Sequence, residues 1–297
     1  MPKRHRLAVF IALMLVPRAV LGGASGREAG FVLLREGIGP RAAAMGEAYT
    51  AVVGDQTAAY WNPAGVAALG GRDFLLTHHR SFEGIQQTYA GWAYGSGSRG
   101  VALSLAVHSA GGLEARTGPS AEPLGTFNVY EVNGGLSYAQ RIGSRVHVGF
   151  SLRGLHESIG PESGSGMAGD IGLLITNPVE GLMLGAAFRN VGRMGRLDQE
   201  RVPLPRTFRA GAAFTRGPLV GSLDVRVPEK GERGVNLGAE YGVGDRLFLR
   251  GGYRTGSEIR DLSFGIGLQQ RNWRIDYAYV PSDFGLGGSH RIGLGIR

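Results

Sequence analysis

Six charged side chains stand at alternating positions in segments whose other alternate positions are apolar. These are Arg209, Asp224, Arg226, Glu240, Arg274 and Asp276. Successive side chains of a β-strand point to opposite faces, so each charge would lie on the polar face of a strand that is apolar on its other face. Three arginines and three carboxylates can form ion pairs with one another, or they can line a polar pathway. We favour the paired arrangement. In it, the ion pairs hold a plug segment inside the protein, and no open pore runs through it.

Residue patterns for catalysis or metal binding are weak in this sequence. Gly135–Ala139 resembles a nucleophile elbow, but it lacks the last glycine and lies in a predicted strand, whereas an elbow needs a strand-to-helix turn. His78 and His79 are neighbours in a predicted strand, so they point to opposite faces and cannot bind one metal ion together. The absence of cysteine removes thiolate nucleophiles and zinc–thiolate sites. We therefore expect no enzymatic activity, no catalytic or metal site and no cofactor.

Segments of alternating polarity follow one another from residue 71 to the end of the chain. In 272–280, for example, Trp273 and Ile275 share one face, whereas Arg274 and Asp276 share the other. The predicted strands are 73–80, 86–95, 100–109, 127–140, 145–155, 169–176, 181–190, 206–215, 218–227, 233–242, 246–254, 259–269, 272–280 and 289–297. The polar faces are rich in glycine, serine and alanine and carry paired charges, which is typical of a crowded barrel interior.

The gaps between these segments are alternately tight and longer. Tight gaps such as 141–144 and 216–217 follow even-numbered strands, and longer gaps such as 110–126 follow odd-numbered strands. Outer-membrane barrels have short periplasmic turns, longer extracellular loops and an even strand count. The sequence therefore predicts an all-β protein, in which residues 71–297 form a transmembrane antiparallel β-barrel of about 14 strands. We expect it in the outer membrane of a Gram-negative-type bacterium.

A secretory signal peptide is predicted at residues 1–24. Met1–Arg6 is basic, Leu7–Val16 is apolar, and small residues follow with a cleavage site after Ala24. The apolar run is too short to cross a bilayer as a helix. Removal of the four basic residues of this segment lowers the formal charge from +8 to 8 − 4 = +4. Because the remaining basic residues are scattered through the strands, we expect no nucleic-acid partner.

A helix-compatible segment precedes the barrel. Pro40–Val53 is alanine-rich, and a proline is well suited to the first helical turn. Gly54 can end this helix, and Asp55 can cap a second short helix at Gln56–Trp61. The sequence Asn62–Gly65 (NPAG) then predicts a turn, because the residue before proline avoids the helical region. Such a segment can fill the barrel mouth as a plug, and a helical pair beneath the barrel on the periplasmic side fits the spacing equally well.

Two motifs in this segment resemble the opening of the PorV/PorQ family, a group of outer-membrane barrels related to the FadL fatty-acid transporters. They are Gly39–Tyr49 (GPRAAAMGEAY) and Tyr60–Gly65 (YWNPAG). Further matches lie at Leu204–Gly211, Val235–Tyr241, Leu249–Arg254, Asp276–Tyr279 and Ser289–Leu294. The resemblance implies a 14-stranded barrel with an N-terminal segment, here residues 25–70, tucked into its lumen. The plug motif would then consist of Arg41, Met45, Gly46, Asp55, Trp61, Asn62, Pro63 and Gly65.

The resemblance leads to two functional hypotheses, and outer-membrane lipid is a partner in both. PorV-like barrels resemble components of type IX secretion that recognise the sorting domain of secreted cargo. The loops 110–126, 156–168 and 191–205 would then bind cargo proteins or secretion-machinery subunits. The FadL relationship implies instead a transporter of small hydrophobic compounds, with an apolar pocket near the plug and a lateral opening. Because the predicted lumen face is small and charged, we favour the export role at this stage.

Overall fold

Fourteen antiparallel strands form a closed barrel in the computed structural model. The model describes residues 31–81, 84–116, 118, 122–197, 200–201, 203–256, 262–282 and 287–297, so the predicted signal peptide at 1–24 lies outside the described residues. The barrel strands are β1 (Gly70–Arg80), β2 (Gln86–Ser96), β3 (Arg99–Ala115), β4 (Gly125–Ile142), β5 (Val146–Ile159), β6 (Glu162–Thr176), β7 (Leu182–Met194), β8 (Thr207–Arg216), β9 (Leu219–Pro228), β10 (Gly234–Val243), β11 (Leu247–Arg254), β12 (Leu262–Gln270), β13 (Trp273–Pro281) and β14 (Gly288–Ile296).

The barrel closes through pairing of its first and last strands. β1 pairs with β14 from Phe74 opposite Ile296 to Arg80 opposite His290, and every other strand pairs with its two neighbours in the barrel. Closure leaves no sheet edge with unpaired backbone groups, which is the condition for crossing a bilayer with strands. A two-stranded ribbon, Arg196–Leu197 with Glu200–Arg201, follows β7 and stays outside the barrel sheet.

The outer face of the barrel is apolar on all fourteen strands. Each strand exposes at least one large apolar side chain: Phe74, Trp92, Leu103, Leu136, Phe150, Ile171, Phe188, Phe208, Leu219, Leu237, Leu249, Phe264, Ile275 and Ile292. An apolar surface of this extent is far larger than a soluble monomer shows, and it matches the lipid-facing band of a membrane barrel. The fold is therefore a transmembrane β-barrel, as the sequence predicted.

The predicted strand count and order are confirmed, whereas the predicted lengths of some loops are wrong. The loop predicted at 156–168 is a two-residue turn, because β5 continues to Ile159 and β6 begins at Glu162. In the same way, β3 extends to Ala115, and β7 extends to Met194 within the loop predicted at 191–205. Strand hydrogen bonds need no apolar side chains, so these hairpins continue beyond the apolar band, where the alternation used for the prediction stops.

The N-terminal segment lies inside the barrel and not beneath it. It contains 3-10 turns at Val32–Leu34 and Pro63–Ala68 and two short helices, α1 (Pro40–Ala44) and α2 (Ala58–Trp61). Its aromatic side chains are buried, among them Trp61, which is 1% exposed. Residues 31–69 are called the plug from here on. In the described part of the chain, no helix is long and apolar enough to cross a membrane.

The plug contains less helix than the sequence predicted. The helix predicted at Pro40–Val53 ends at Ala44, because wall side chains satisfy the backbone that follows. The Gly46 amide donates to Ser263 Oγ at 3.1 Å, and Asn236 Nδ2 donates to the Gly46 carbonyl at 2.6 Å. The second helix was predicted at Gln56–Trp61 and begins at Ala58. Asp55 does not cap this helix and instead accepts from the Thr57 amide at 3.0 Å, within the turn that precedes it.

The apolar outer face generates a prediction about single charges. Leu237 is 44% exposed in the middle of β10, and Leu124 is 72% exposed in the β3–β4 loop. We expect Leu237→Arg to destabilise the folded barrel by about 2–4 kcal/mol, since the guanidinium would enter the hydrocarbon layer. Leu124→Arg is the matched control and should leave stability unchanged. Urea unfolding in lipid vesicles, followed by tryptophan fluorescence, measures both variants, and equal destabilisation of the two would contradict a lipid-facing β10.

Candidate functional site

The plug packs against glycines of the inner wall, and these glycines are called the glycine seat. Ten wall glycines on nine strands are so close to the plug that a Cβ atom would collide with it: Gly91, Gly95, Gly100, Gly149, Gly172, Gly185, Gly238, Gly252, Gly265 and Gly293. At Gly238 a Cβ would lie 2.6 Å from the Met45 carbonyl oxygen, and at Gly252 it would overlap the Gly46 amide. The plug backbone thus lies against the backbone of the wall, and side chains larger than hydrogen at these positions would force it away.

Arg41 of the plug joins a buried group of charges on the wall. Its Nε donates to Glu240 Oε2 at 2.8 Å and its Nη2 to Glu240 Oε1 at 2.6 Å, a bidentate pair. Arg250 donates to Glu240 Oε2 at 2.6 Å and to Asp276 Oδ1 at 2.7 Å. Asp276 also forms an ion pair with Arg274, whose Nε lies 2.8 Å from Oδ2. These five residues, called the Arg41 cluster, link the plug to strands β10, β11 and β13.

Asp55 ties the middle of the plug to the same cluster. Its Oδ2 accepts from the Tyr49 hydroxyl at 2.7 Å and lies 3.5 Å from Arg41 Nη1. Burial by itself raises the pKa of the Asp55 carboxyl, but the charges of Arg274 and Arg41 outweigh burial and hold that pKa well below its usual range. The group is therefore ionised at neutral pH. Its stabilising contribution is complete above the ordinary aspartate pKa and is lost as the pH falls toward the lowered value.

A second buried pair, Arg209 with Asp224, holds the turn of the plug between Glu47 and Thr50. Arg209 Nη2 lies 3.0 Å from Asp224 Oδ2 and also donates to the Glu47 carbonyl. Asp224 Oδ2 accepts from the amides of Tyr49 and Thr50 at 3.1 and 3.0 Å and from Thr50 Oγ1 at 2.5 Å. The pair is called the Arg209 cluster. The Asp224 carboxylate thus accepts hydrogen bonds from two plug amides that lie outside the helices of the plug.

The aromatic part of the plug motif lies under two wall arginines. The guanidinium of Arg209 is 4.9 Å from the ring centre of Trp61, and that of Arg189 is 4.0 Å from the ring centre of Tyr60. Trp61 Nε1 donates to the Ile38 carbonyl at 3.1 Å, so the indole also fixes the start of the plug. Cation–π contacts of this kind become stronger where water is excluded, as it is here.

Asn62 is the main polar link at the end of the plug. Its Nδ2 donates to the carbonyls of Thr50 and Leu173, both at 2.9 Å, so it connects the plug to itself and to β6. Its Oδ1 caps the 3-10 turn that Pro63 begins, and its carbonyl accepts from the Gly65 amide at 2.9 Å. The Asn-Pro turn expected from the sequence is therefore present, and it fastens the plug to the wall as well.

The structure brings five of the six charges singled out from the sequence into the two clusters. The sixth, Arg226, lies apart and donates to the Gly256 carbonyl at 3.0 Å. Arg250 and Asp73 also pair with cluster members, although they were not among the charges predicted from the sequence. Arg250 could have been found from the sequence, because it follows the lipid-facing Leu249 on β11 and therefore points to the lumen, as Gly252 does. Among the described residues, no group of three histidine or carboxylate side chains has the geometry of a metal site.

A pocket of about 500 Å³ lies beside the end of β7. Arginine, lysine and glutamate side chains make up half of its lining residues, and Met194, Pro203 and Leu204 supply its apolar lining. Met194 and Leu204 also belong to the buried apolar cluster inside the barrel, together with Phe31 and Leu33 of the plug. The pocket is therefore connected to the apolar side of the plug through these two side chains, and no residue of the Arg41 cluster lines it.

A bulge in β7 shapes the wall at this pocket. Arg189 and Asn190 of β7 lie opposite the single residue Asp170 of β6, and Asn190 has a φ of 63°. Asp170 Oδ1 accepts from the Asn190 amide at 2.7 Å and from Arg153 Nη2 at 2.6 Å. Beyond the bulge, β7 stays paired with β6 as far as Met194, but its pairing with β8 ends at Arg189. The wall is thus lower on the β8 side, and the pocket occupies that position.

The glycine seat can be tested with two neighbouring residues of β11. Gly252 touches the plug, whereas a Cβ on Gly251 meets no atom within 4 Å. We expect Gly252→Val to displace Met45–Gly46 and to raise the ion conductance of the barrel in planar lipid bilayers. Gly251→Val adds the same side chain to the same strand and should conduct like the wild type. Heat-modifiable mobility in electrophoresis verifies that both barrels are folded, and wild-type conductance of folded Gly252→Val would refute a seat at this position.

No protein-family model and no curated protein sequence matches this chain. Solved structures do match it. The Pseudomonas putida toluene transporter TodX superimposes with a TM-score of 0.67 at 14% identity, over 88% of this chain and 97% of that one. The CymD monoaromatic hydrocarbon channel gives a TM-score of 0.67 at 13% identity, over 88% and 96% of the two chains. A TodX deltaS2S3 mutant gives 0.63 at 15%, over 88% and 98%. This chain therefore shares the barrel fold of these channels. The relationship to the PorV/PorQ family and to the FadL transporters, which its motifs imply, stays a prediction.

Proposed function

We propose that this chain is a non-enzymatic outer-membrane channel for small hydrophobic compounds, which enter through the pocket beside β7. The observation that carries the proposal is that Met194 and Leu204 of the pocket belong to the buried apolar cluster inside the barrel, which also contains the apolar side chains of the plug. A ligand in the pocket would replace Met194 and Leu204 contacts with its own apolar surface, and burial of that surface is favourable by about 25 cal/mol per Å².

Because the plug fills the lumen, a selective route for apolar compounds is favoured and an open, water-filled pore is not. Between Pro40 and Ala68 the plug is held by the Arg41 cluster, the Arg209 cluster and the glycine seat. Along this part of the axis most of the described plug residues are buried, which leaves little space for a general water-filled channel. The fold agrees with this reading, since the structures that it resembles are described as a toluene transporter and a monoaromatic hydrocarbon channel. The proposal therefore replaces the export role that the sequence motifs favoured.

The export role has less structural support. It needs a rim of loops that can bind cargo, but β5 and β6 are joined by Gly160 and Pro161 alone. The β3–β4 and β7–β8 connections are likewise shortened by the extension of β3 and β7. What favours export is the resemblance of Gly39–Tyr49 and Tyr60–Gly65 to PorV/PorQ motifs. Stoichiometric co-purification of secreted proteins would be the result that restores it.

The test is uptake of a fluorescent apolar aromatic probe, 1-N-phenylnaphthylamine, by Gram-negative cells that produce the chain. We expect wild-type protein to raise the uptake rate several-fold over cells with an empty vector. Leu204→Trp should bring the rate back toward the empty-vector value, because the larger side chain fills the pocket floor, where Leu204 is 5% exposed.

Leu124→Trp is the matched control, since it makes the same exchange in an exposed loop. It should take up the probe like the wild type. Heat-modifiable mobility and surface labelling make sure that all three proteins are folded and equally abundant. Uptake by wild-type cells at the empty-vector rate would overturn the proposal, and wild-type uptake by Leu204→Trp would exclude the pocket as the entrance.

A further inference from the structure

Exposed arginines collect at one end of the barrel, the end with the short turns. Eight of them lie there, and one of these, Arg297, pairs with Asp73 at 2.9 Å. The other seven are Arg72, Arg99, Arg141, Arg145, Arg216, Arg246 and Arg271. The exposed acidic side chains at this end of the described chain are Glu180 and Asp245, so seven positive charges face two negative ones. None of the seven arginines forms an ion pair with a described acidic side chain, in contrast to the buried clusters. These seven residues are called the arginine ring.

The opposite end of the barrel has a different charge pattern. Acidic and basic side chains are mixed there and partly neutralise one another, as in Arg116 with Glu114 at 2.8 Å and Arg206 with Glu229 at 3.6 Å. The excess of positive charge is therefore specific to the short-turn end. Because the two ends of a membrane barrel face different leaflets and compartments, this asymmetry gives the molecule an electrostatic orientation.

A row of aromatic side chains fixes the depth of the arginine ring in the membrane. Outward-facing aromatics stand within a few residues of the short turns on five strands: Tyr94, Tyr138, Phe214, Tyr241 and Trp273. Aromatic residues in such belts sit at the boundary between hydrocarbon and headgroups. Arg72 lies directly opposite Tyr94 across β1 and β2, and Arg216 follows Phe214 by two residues on β8. At about 3.3 Å per residue, the ring is thus at the level of lipid phosphates.

We propose that the arginine ring binds the phosphates of anionic phospholipids in the leaflet that it faces. In the orientation expected for outer-membrane barrels, short turns face the periplasm, so this is the inner leaflet of the outer membrane. The proposal depends on the barrel crossing a membrane and not on what the barrel transports. Arginine suits this role, because its planar fork of N–H donors matches the oxygens of a phosphate and it stays charged at every physiological pH.

The distribution of the ring around the barrel makes it a belt for several lipids rather than a single site. Its members come from the strand ends or turns next to β1, β3, β4, β8, β11 and β12. Each arginine near an anionic surface adds to the affinity, so the sum favours phosphatidylglycerol over the zwitterionic phosphatidylcholine. The arginine ring would also resist movement of the barrel along the membrane normal. If the ring moved out into water, the aromatic row would have to leave the membrane interface with it.

The experiment compares two quadruple variants of the full chain with equal loss of charge. The first carries Arg99→Gln, Arg216→Gln, Arg246→Gln and Arg271→Gln, at four different short turns. The control carries Arg80→Gln, Arg116→Gln, Arg196→Gln and Arg233→Gln, at the loop end. Each protein is reconstituted in mixed vesicles of phosphatidylglycerol and phosphatidylcholine, extracted gently, and analysed for retained lipid by native mass spectrometry. Heat-modifiable mobility establishes that each barrel is folded.

We expect the wild type and the control to retain phosphatidylglycerol preferentially, and the turn-end variant to lose this preference by about tenfold or more. An unchanged preference in the turn-end variant, or an equal loss in the control, would overturn the proposal. Inorganic phosphate is added as a competitor in a parallel sample. It should leave the bound lipid in place, because a free anion lacks the acyl chains that lie on the apolar face. Displacement of the lipid by phosphate alone would make the ring a site for free phosphate and overturn the assignment to lipid.

Discussion

The plug and the barrel wall touch backbone to backbone, and most other features of the lumen depend on this close approach. A side chain at Gly238 or Gly252 would occupy the space in which the Met45–Gly46 backbone lies. Glycine in a strand interior costs about 0.5–1 kcal/mol relative to alanine, so its repeated use on the inner face sacrifices strand stability for a tight fit. Once the backbones are this close, short wall side chains such as Asp224 and Ser263 can reach the plug amides. A long helix is then unnecessary, which explains why α1 ends after five residues.

The buried ion pairs have a different role, because they determine where along the wall the plug sits. Removing a charge from water costs several kcal/mol, and a buried pair recovers this cost only with good geometry. Arg41 meets Glu240 on β10, and Thr50 meets Asp224 on β9. The plug residues between these two contacts span a fixed distance on the wall. A shift of the plug by one residue would therefore break both contacts together and leave buried carboxylates without partners. The ion pairs thus select one plug position among many that the glycine seat alone would tolerate.

Contact with lipid constrains the residues of the strands inside the bilayer, so that part of the fold can be predicted from the sequence. The loops and the lumen are not constrained in this way. Inside the bilayer the outward residue of every pair must be apolar, so the strand predicted at 272–280 is observed at Trp273–Pro281. Beyond the bilayer that constraint ends, and the loop predicted at 156–168 is strand except for the two-residue turn at Gly160 and Pro161. The lumen charges show the same limit. Arg209 on β8 and Arg226 on β9 lie opposite each other and on the same face of the sheet, yet only Arg209 belongs to a cluster. What distinguishes them is the position of the plug, which no local pattern in the strands encodes.

The plug is held unevenly, and this would reconcile a filled lumen with the passage of a ligand proposed above. From Pro40 to Ala68, both charge clusters and the glycine seat fix the backbone. Phe31–Leu34 is held mainly by apolar packing and by the bond from the Leu33 amide to Glu131 Oε2 at 2.5 Å. Phe31, Leu33 and Leu34 belong to the buried apolar cluster that also contains Met194 and Leu204 of the pocket, and this cluster continues along the plug as far as Trp61. Displacement of Phe31–Leu34 alone would break no ion pair of either cluster, so the seal against water and ions in the rest of the lumen can persist while an apolar molecule enters.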